Sequence, residues 1–148
     1  MRVLLLPPIV LLMSVGMMLG LHSEMPVAQL VPPPANWAGL ALIAAGLGVA
    51  NWHARLFRRV GTNINTFGEP GRLISEGLFR RTRNPMYLGM VICLVGVALT
   101  LGSISPISGP LGFLLLANYW YIPLEEMAMT RKFGKEYLDY QHSVPRWL

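Results

Sequence analysis

The sequence predicts an all-α membrane protein, built as one integral membrane domain over residues 1–148. It would have four transmembrane helices, a cytoplasmic loop and a C-terminal amphipathic helix. Three observations predict this. Only 13% of the residues are charged while 53% are hydrophobic, about half the ~25% charge of an average soluble domain. Residues 3–23, 25–54 and 84–124 contain no Asp, Glu, Lys or Arg. The charges that remain are clustered between those blocks. A mean hydropathy of +0.48 excludes a disordered tail, and one cysteine, Cys93, excludes a disulfide scaffold.

A spanning helix needs about 20 mostly apolar residues. The first block supplies one span at about residues 3–22. Arg2 before an apolar run has the look of a secretory signal, but the run is long, Pro7 and Pro8 fall early in it, and no A-x-A cleavage site follows. In the second block the Pro-rich stretch Val31-Pro-Pro-Pro-Ala35 precedes a span at about 36–53. The third block is too long for one helix. Its turn formers, Gly102-Ser-Ile-Ser-Pro-Ile-Ser-Gly-Pro110, divide it into spans at about 86–102 and 109–123. Trp37, Trp52, Trp120 and Tyr121 fall near span ends, as interfacial aromatics do.

With four spans, all twelve Lys and Arg fall on one side. They are Arg2, Arg55, Arg58, Arg59, Arg72, Arg80, Arg81, Arg83, Arg131, Lys132, Lys135 and Arg146. The opposite connections, about 22–36 and 103–108, have none. The positive-inside rule therefore places both termini and the loop at 54–85 in the cytoplasm. Basic residues beside membrane segments serve topology and contact with anionic lipid headgroups, so no nucleic-acid partner is expected. His22, His53 and His142 lie too far apart in sequence for a local ligand pair, and no metal is expected.

Function is expected in the two cytoplasmic segments. The loop at 54–85 is rich in glycine and small polar residues, which suit close backbone approach to a ligand; a solvated connection is the plain alternative. It ends in Arg83-Asn84-Pro85, where Asn84 is a favoured N-cap and Pro85 a favoured first helical residue. The same geometry aims free amides at the membrane surface and favours an anionic group there, beside Arg80, Arg81 and Arg83. Glu125 and Glu126 open a C-terminal helix at 124–141. They either complement its dipole or bind a cation or ribose hydroxyls. Met129, Phe133, Tyr137 and Tyr140 recur at helical spacing, a stripe that packs on the bundle and would cover the loop as a lid. Gly46-Leu-Gly48 is read as a helix contact.

Gly77-Leu-Phe-Arg-Arg-Thr-Arg-Asn-Pro-Met-Tyr-Leu-Gly89, Glu125-Glu126, Phe133-Gly-Lys-Glu-Tyr-Leu-Asp-Tyr140 and Val144-Pro145 together resemble the isoprenylcysteine carboxyl methyltransferases. The wider group includes phospholipid N-methyltransferases. The resemblance covers residues from about 60 onward. It implies a multi-pass membrane enzyme that uses S-adenosyl-L-methionine and methylates a lipophilic small-molecule or lipid acceptor. Carried over by position, the implied cofactor contacts are Arg72, Leu73, Ile74, Phe79, Asn84, Pro85, Met86, Tyr87 and Glu125. Arg83, Asn84 and Tyr87 are the implied catalytic residues. Two positions depart from the family pattern. Asn84 replaces the histidine of Arg-His-Pro-x-Tyr, and Tyr121 stands where an arginine engages the substrate carboxylate. The alternative function is a non-enzymatic multi-pass protein, either an assembly partner or a transporter. Transport is disfavoured because no acid lies inside a charge-free block.

Overall fold

The computed structural model describes residues 6–61 and 71–148. Arg2, the start of the first expected span and residues 62–70 of the expected loop lie outside the described residues. Six α-helices follow in chain order: α1 (Pro7–Glu24), α2 (Ala38–Val60), α3 (Pro85–Leu101), α4 (Ser108–Leu116), α5 (Ile122–Phe133) and α6 (Lys135–Ser143). Short 3₁₀ turns lie at Ala35–Trp37, Gly77–Arg80 and Ser105–Ile107. Among the described residues there is no strand, only an isolated bridge between Gln29 and Ser103. The all-α class holds.

Helix α3 is the central element, with Tyr87, Met90, Cys93, Leu94 and Ala98 buried along its length. It packs most closely on α2, running antiparallel, with Gly39 opposite Gly96 and Gly46 opposite Gly89. The main core joins these α3 residues to Met18 of α1, Phe113 of α4, and Ala117, Tyr121 and Ile122 beyond it. Outward, Leu12, Met13, Met17, Leu40, Leu47, Leu111 and Leu115 are exposed. The stretch Ala35–Arg59, 25 residues, is long and apolar enough to cross a membrane, and an 18-residue window within it has a mean hydropathy of 1.3 and is only 11% buried. The core helix of a water-soluble bundle would be mostly buried instead. Pro85–Leu101 is a shorter apolar helix.

The helices alternate in direction, so one end of the bundle gathers the close of α2, the start of α3, and α5 with α6. Every described Lys and Arg stands at that end. The other end, formed by residues 25–37 and 102–107, has none among the described residues. There the two connections are stitched together by backbone bonds, Leu30 N–H to Gly102 O at 2.7 Å and Ile104 N–H to Ala28 O at 3.0 Å.

The structure corrects three expectations. Helix α2 continues to Val60, so Arg55, Arg58 and Arg59 ride on a helix rather than in a loop from residue 54. The expected C-terminal helix at 124–141 is not one element. Helix α4, a π turn at Ala117–Tyr121 and α5 form a continuous run, and the break comes later, at Gly134 with φ 54°. Pro123 has no N–H to donate and its ring crowds the carbonyl four residues back. The widened π turn just before it relieves that conflict and lets the helix pass through. Finally, Tyr121 is not an interfacial residue. It is fully buried, while its neighbours Tyr119 and Trp120 are 75% and 52% exposed.

Candidate functional site

At the basic end, the segment entering α3 is held from two sides. Phe79 is buried against α2, with ring centroids 6.5 Å from Trp52, 5.5 Å from His53 and 5.9 Å from Phe57. Gly77 has φ +62°, and a Cβ there would lie 2.7 Å from the Trp52 ring, so only glycine fits. From the other side, the Tyr140 hydroxyl donates to Phe79 O at 2.8 Å. Leu73 packs against the cluster of Tyr137, Tyr140 and Val144, as do Met129 and Phe133 of α5. The aromatic stripe therefore does pack on the segment before α3, although Gly134 divides it between two helices.

Burial raises the Tyr140 phenol above its ordinary range, with the neighbouring Tyr137 adding to the rise. Tyr137 is raised chiefly by burial and next by Glu126, against a hydrogen bond with Arg83. Both phenols stay protonated, and hence able to donate, at neutral pH. For an acid whose folded pKa is raised, the stabilisation is intact below the unfolded value, about 10 for tyrosine. It is lost as pH rises from there through the folded value. The unfolding midpoint in detergent should therefore hold steady to about pH 9 and fall above about pH 10. Tyr140→Phe should cost about 0.5–1.5 kcal/mol near neutrality and flatten part of that alkaline fall.

At the mouth of the bundle the expected helix entrance meets the paired glutamates. The Tyr87 hydroxyl donates to Glu125 Oε1 at 2.7 Å, and the Tyr87 and Tyr121 rings stack at 5.7 Å and 6°. Arg83 Nη1 donates to Glu126 Oε1 at 2.7 Å, with only 11% and 14% of the two side chains exposed. Arg146 grips the same carboxylate through Nη2 at 2.6 Å and Nε at 3.2 Å. One largely buried carboxylate thus sits between two guanidinium groups in a charge-assisted arrangement.

Arg146, expected only as one of the basic residues of the cytoplasmic side, is part of the site itself. The residues around it form a strap over the start of α3. Pro145 O accepts from Arg83 N–H at 3.0 Å. Arg146 O accepts from Asn84 Nδ2 at 3.0 Å and Thr82 Oγ1 at 3.2 Å. Arg146 Nη1 and Trp147 Nε1 each donate to Asn118 Oδ1, in the π turn, at 3.2 Å. The sequence signal for the strap is Arg146 together with an acidic pair, Glu125-Glu126, of which the resemblance assigns only Glu125 a role.

Helix α3 begins at Pro85 as expected, but the Asn84 side chain makes no cap bond. Its amide is turned to the strap, which offers a backbone carbonyl that competes with the cap. Of the other expected site residues, Ile74 and Phe79 are buried. Leu73 lies half-buried in the α6 cluster, Met86 packs on the main core, and Arg72 is exposed. The structure thus brings Arg83, Asn84 and Tyr87 together with Glu125 and Glu126. It sets Leu73, Ile74 and Phe79 in the packed segment leading into them. Among the described residues no cluster of three metal-ligating side chains occurs.

A separate recess of about 600 Å³, of mixed polar and apolar lining, opens at the opposite end of α3. His22, Gln29, Asn36, Thr100 and Ser103 are among its lining residues, and His22 Nδ1 pairs with Ser103 Oγ at 2.7 Å.

A family model described as phospholipid methyltransferase matches residues 34–136. An uncharacterized protein of Haemophilus influenzae is 38% identical over 63 residues, 43% of this chain and 100% of that protein. Protein-S-isoprenylcysteine O-methyltransferase B of Arabidopsis thaliana is 32% identical over 80 residues, 52% of this chain and 39% of the plant protein. A probable protein-S-isoprenylcysteine O-methyltransferase of Oryza sativa subsp. indica is 35% identical over 75 residues, 49% of this chain and 38% of its own length. The chain therefore spans well under half the length of these plant relatives. No solved structure matches.

Proposed function

The chain belongs to the phospholipid methyltransferase family, and from that premise we propose that it is a membrane methyltransferase. It takes S-adenosyl-L-methionine from the cytoplasm and methylates a lipophilic acceptor that enters sideways from the lipid. We further propose that α1, α2, α3 and the α4–α5 run cross the membrane, with both termini and the basic end in the cytoplasm. The segregation of every described Lys and Arg to one end supports that orientation.

The observation that carries the proposal is the meeting of the Arg83-Asn84-Pro85 helix entrance with Glu125 and Glu126. Tyr87 reaches Glu125 and Arg83 reaches Glu126, both at 2.7 Å. The donor set fits the proposed cofactor, since a carboxylate suits ribose hydroxyls or an ammonium and a helix start suits an anionic group. When bound, S-adenosyl-L-methionine supplies an electrophilic methyl on a sulfonium.

Glu125 holds the ribose or ammonium, and Tyr87 walls the methyl path while its hydroxyl fixes Glu125. Arg83 and Asn84 steady the methionyl end or the acceptor, and Arg72, Leu73, Ile74 and Phe79 line the cofactor side with Pro85 and Met86. Oriented neighbouring reactants gain about 7–11 kcal/mol from proximity, and a carboxylate or thiolate acceptor needs no general base.

Calorimetric titration of the detergent-solubilised full chain with S-adenosylhomocysteine tests the reading. Heat of binding is expected, weakened about tenfold or more by Glu125→Gln, because a carboxylate acceptor is exchanged for a neutral amide. No heat from the parent chain would remove the proposal.

A further inference from the structure

The guanidinium of Arg83 carries a donor that no acceptor among the described residues uses. Its Nη1 is committed to Glu126 and it shares a hydrogen bond with Tyr137. Its Nε is buried and meets no acceptor among the described residues. A buried charged donor without a partner is costly, and such groups are rare enough in folded proteins to point to a ligand or a trapped water.

The frame around this donor is rigid. Glu126 takes Arg83 on Oε1 and Arg146 on Oε2, and Arg146 is itself fixed by Asn118. Its backbone carbonyl is tied to Thr82 and Asn84 on either side of Arg83. Arg83 therefore has little freedom to turn its unused edge elsewhere.

We infer that the Nε edge of Arg83 is a carboxylate-binding group of the proposed active site, with Arg146 as the positioning residue that holds it through Glu126. The inference rests on the methyltransferase reading and names the ligand chemistry within it. Charge selects the class of ligand. Glu126 already faces both Arg83 and Arg146, so a dianionic phosphate at the one remaining edge would meet a carboxylate in the same cluster. A singly charged carboxylate matches one guanidinium edge. Where that carboxylate belongs to an amino acid, its ammonium has Glu125 close at hand.

Two sources supply such a group: the methionyl end of the donor and the acceptor. Titration of the detergent-solubilised full chain with S-adenosylhomocysteine and with 5′-methylthioadenosine, which lacks the amino-acid end, addresses the first. Arg83→Gln should weaken S-adenosylhomocysteine about tenfold or more while leaving 5′-methylthioadenosine within about twofold, the size of one charge-assisted contact. The retained nucleoside binding shows that the variant is folded. Arg146→Gln should weaken S-adenosylhomocysteine about threefold to tenfold, with partial recovery in Arg146→Lys, and again spare 5′-methylthioadenosine.

If both nucleosides bind the Arg83 variant unchanged, S-farnesylcysteine and its amide are titrated in saturating S-adenosylhomocysteine. A loss confined to the free acid supports the assignment and places the carboxylate on the acceptor. Loss of both members of a pair alike, or discrimination in neither arm, overturns it and leaves Nε to a water. A parent chain that binds neither nucleoside fails the donor reading and takes this inference with it.

Discussion

Glu126→Ala is expected to be among the most damaging single changes at the basic end of the bundle. The substitution removes the one carboxylate shared by Arg83 and Arg146. Arg83 is only 11% exposed and its Nε already has no acceptor among the described residues, so water cannot readily replace the lost partner. Breaking a buried pair from one side costs about 3–5 kcal/mol, because an uncompensated buried charge remains. Arg146, at 32% side-chain exposure, recovers part of its solvation and draws the figure toward the lower end. Arg146→Ala alone should cost less, since Arg83 keeps Glu126.

The double variant should cost less than the sum of the single changes, because groups in one network are non-additive. Thermal unfolding in detergent reads all three. A Glu126→Ala chain within about 0.5 kcal/mol of the parent, the size of an ordinary surface change, would show that the ion cluster does not hold the strap. The functional consequence follows from the same contacts. Without Glu126, Arg146 no longer pins its carbonyl against Asn84 and Thr82, and the start of α3 loses its cover.

That cluster also shows what the sequence could not reveal. The charge-free blocks, with their Pro and Gly punctuation, set out α1, α2 and α3, because apolar runs bounded by helix starters and stoppers are local signals. The Arg83-Asn84-Pro85 entrance and the Glu125-Glu126 pair were legible for the same reason. Each is a short run whose residue types fit a helix end. Their meeting in space was not a local fact, although the family resemblance implied it.

The strap is wholly non-local, since Arg146 meets residues 20 to 64 positions away in sequence. Its anchor Asn118 sits in a π turn that helical periodicity does not signal. A helix opening at 124 is what Pro123 favours by itself, because proline suits the first turn. Here the π turn before it allowed continuation instead. The break at Gly134 was hidden by a stripe whose four-residue spacing carries across it, so that Phe133 and Tyr137 share one cluster from two helices. Tyr121, read by its position as interfacial, turned inward because stacking on Tyr87 and filling the core outweigh a place at the surface.

The second large effect is expected where α2 and α3 cross. Gly39 and Gly46 face Gly96 and Gly89, and each pair brings backbone against backbone. A Cβ on Gly46 would lie 2.5 Å from both Cys93 N and Gly89 O. A Cβ on Gly89 would lie 2.8 Å from Gly46 O, and one on Gly96 would lie 2.7 Å from Gly39 O and Ile43 N. The atoms in the way are main chain, which cannot rotate aside as a side chain would, so the helices themselves must part. Overpacking a core typically costs about 1–3 kcal/mol, and Gly46→Leu or Gly89→Leu should reach or exceed the top of that range.

Gly48 supplies the control on the same helix. A Cβ there meets nothing within 4 Å, so Gly48→Ala should be neutral or stabilising by about 0.5–1 kcal/mol through helix propensity. In a membrane, close packing of small residues replaces the hydrophobic drive that would otherwise hold two helices together. With both helices in the membrane, as proposed, parting them has no other apolar gain to offset it. The damage should also travel to the site, because α3 carries Asn84 to Tyr87 just before Gly89 and α2 carries Trp52, His53 and Phe57 just after Gly46. Gly46→Leu should accordingly lower both the unfolding midpoint and the affinity for S-adenosylhomocysteine, whereas Gly48→Ala should change neither for the worse. Equal behaviour of the two variants would mean that α2 and α3 do not touch at Gly46, and that the site owes nothing to their contact.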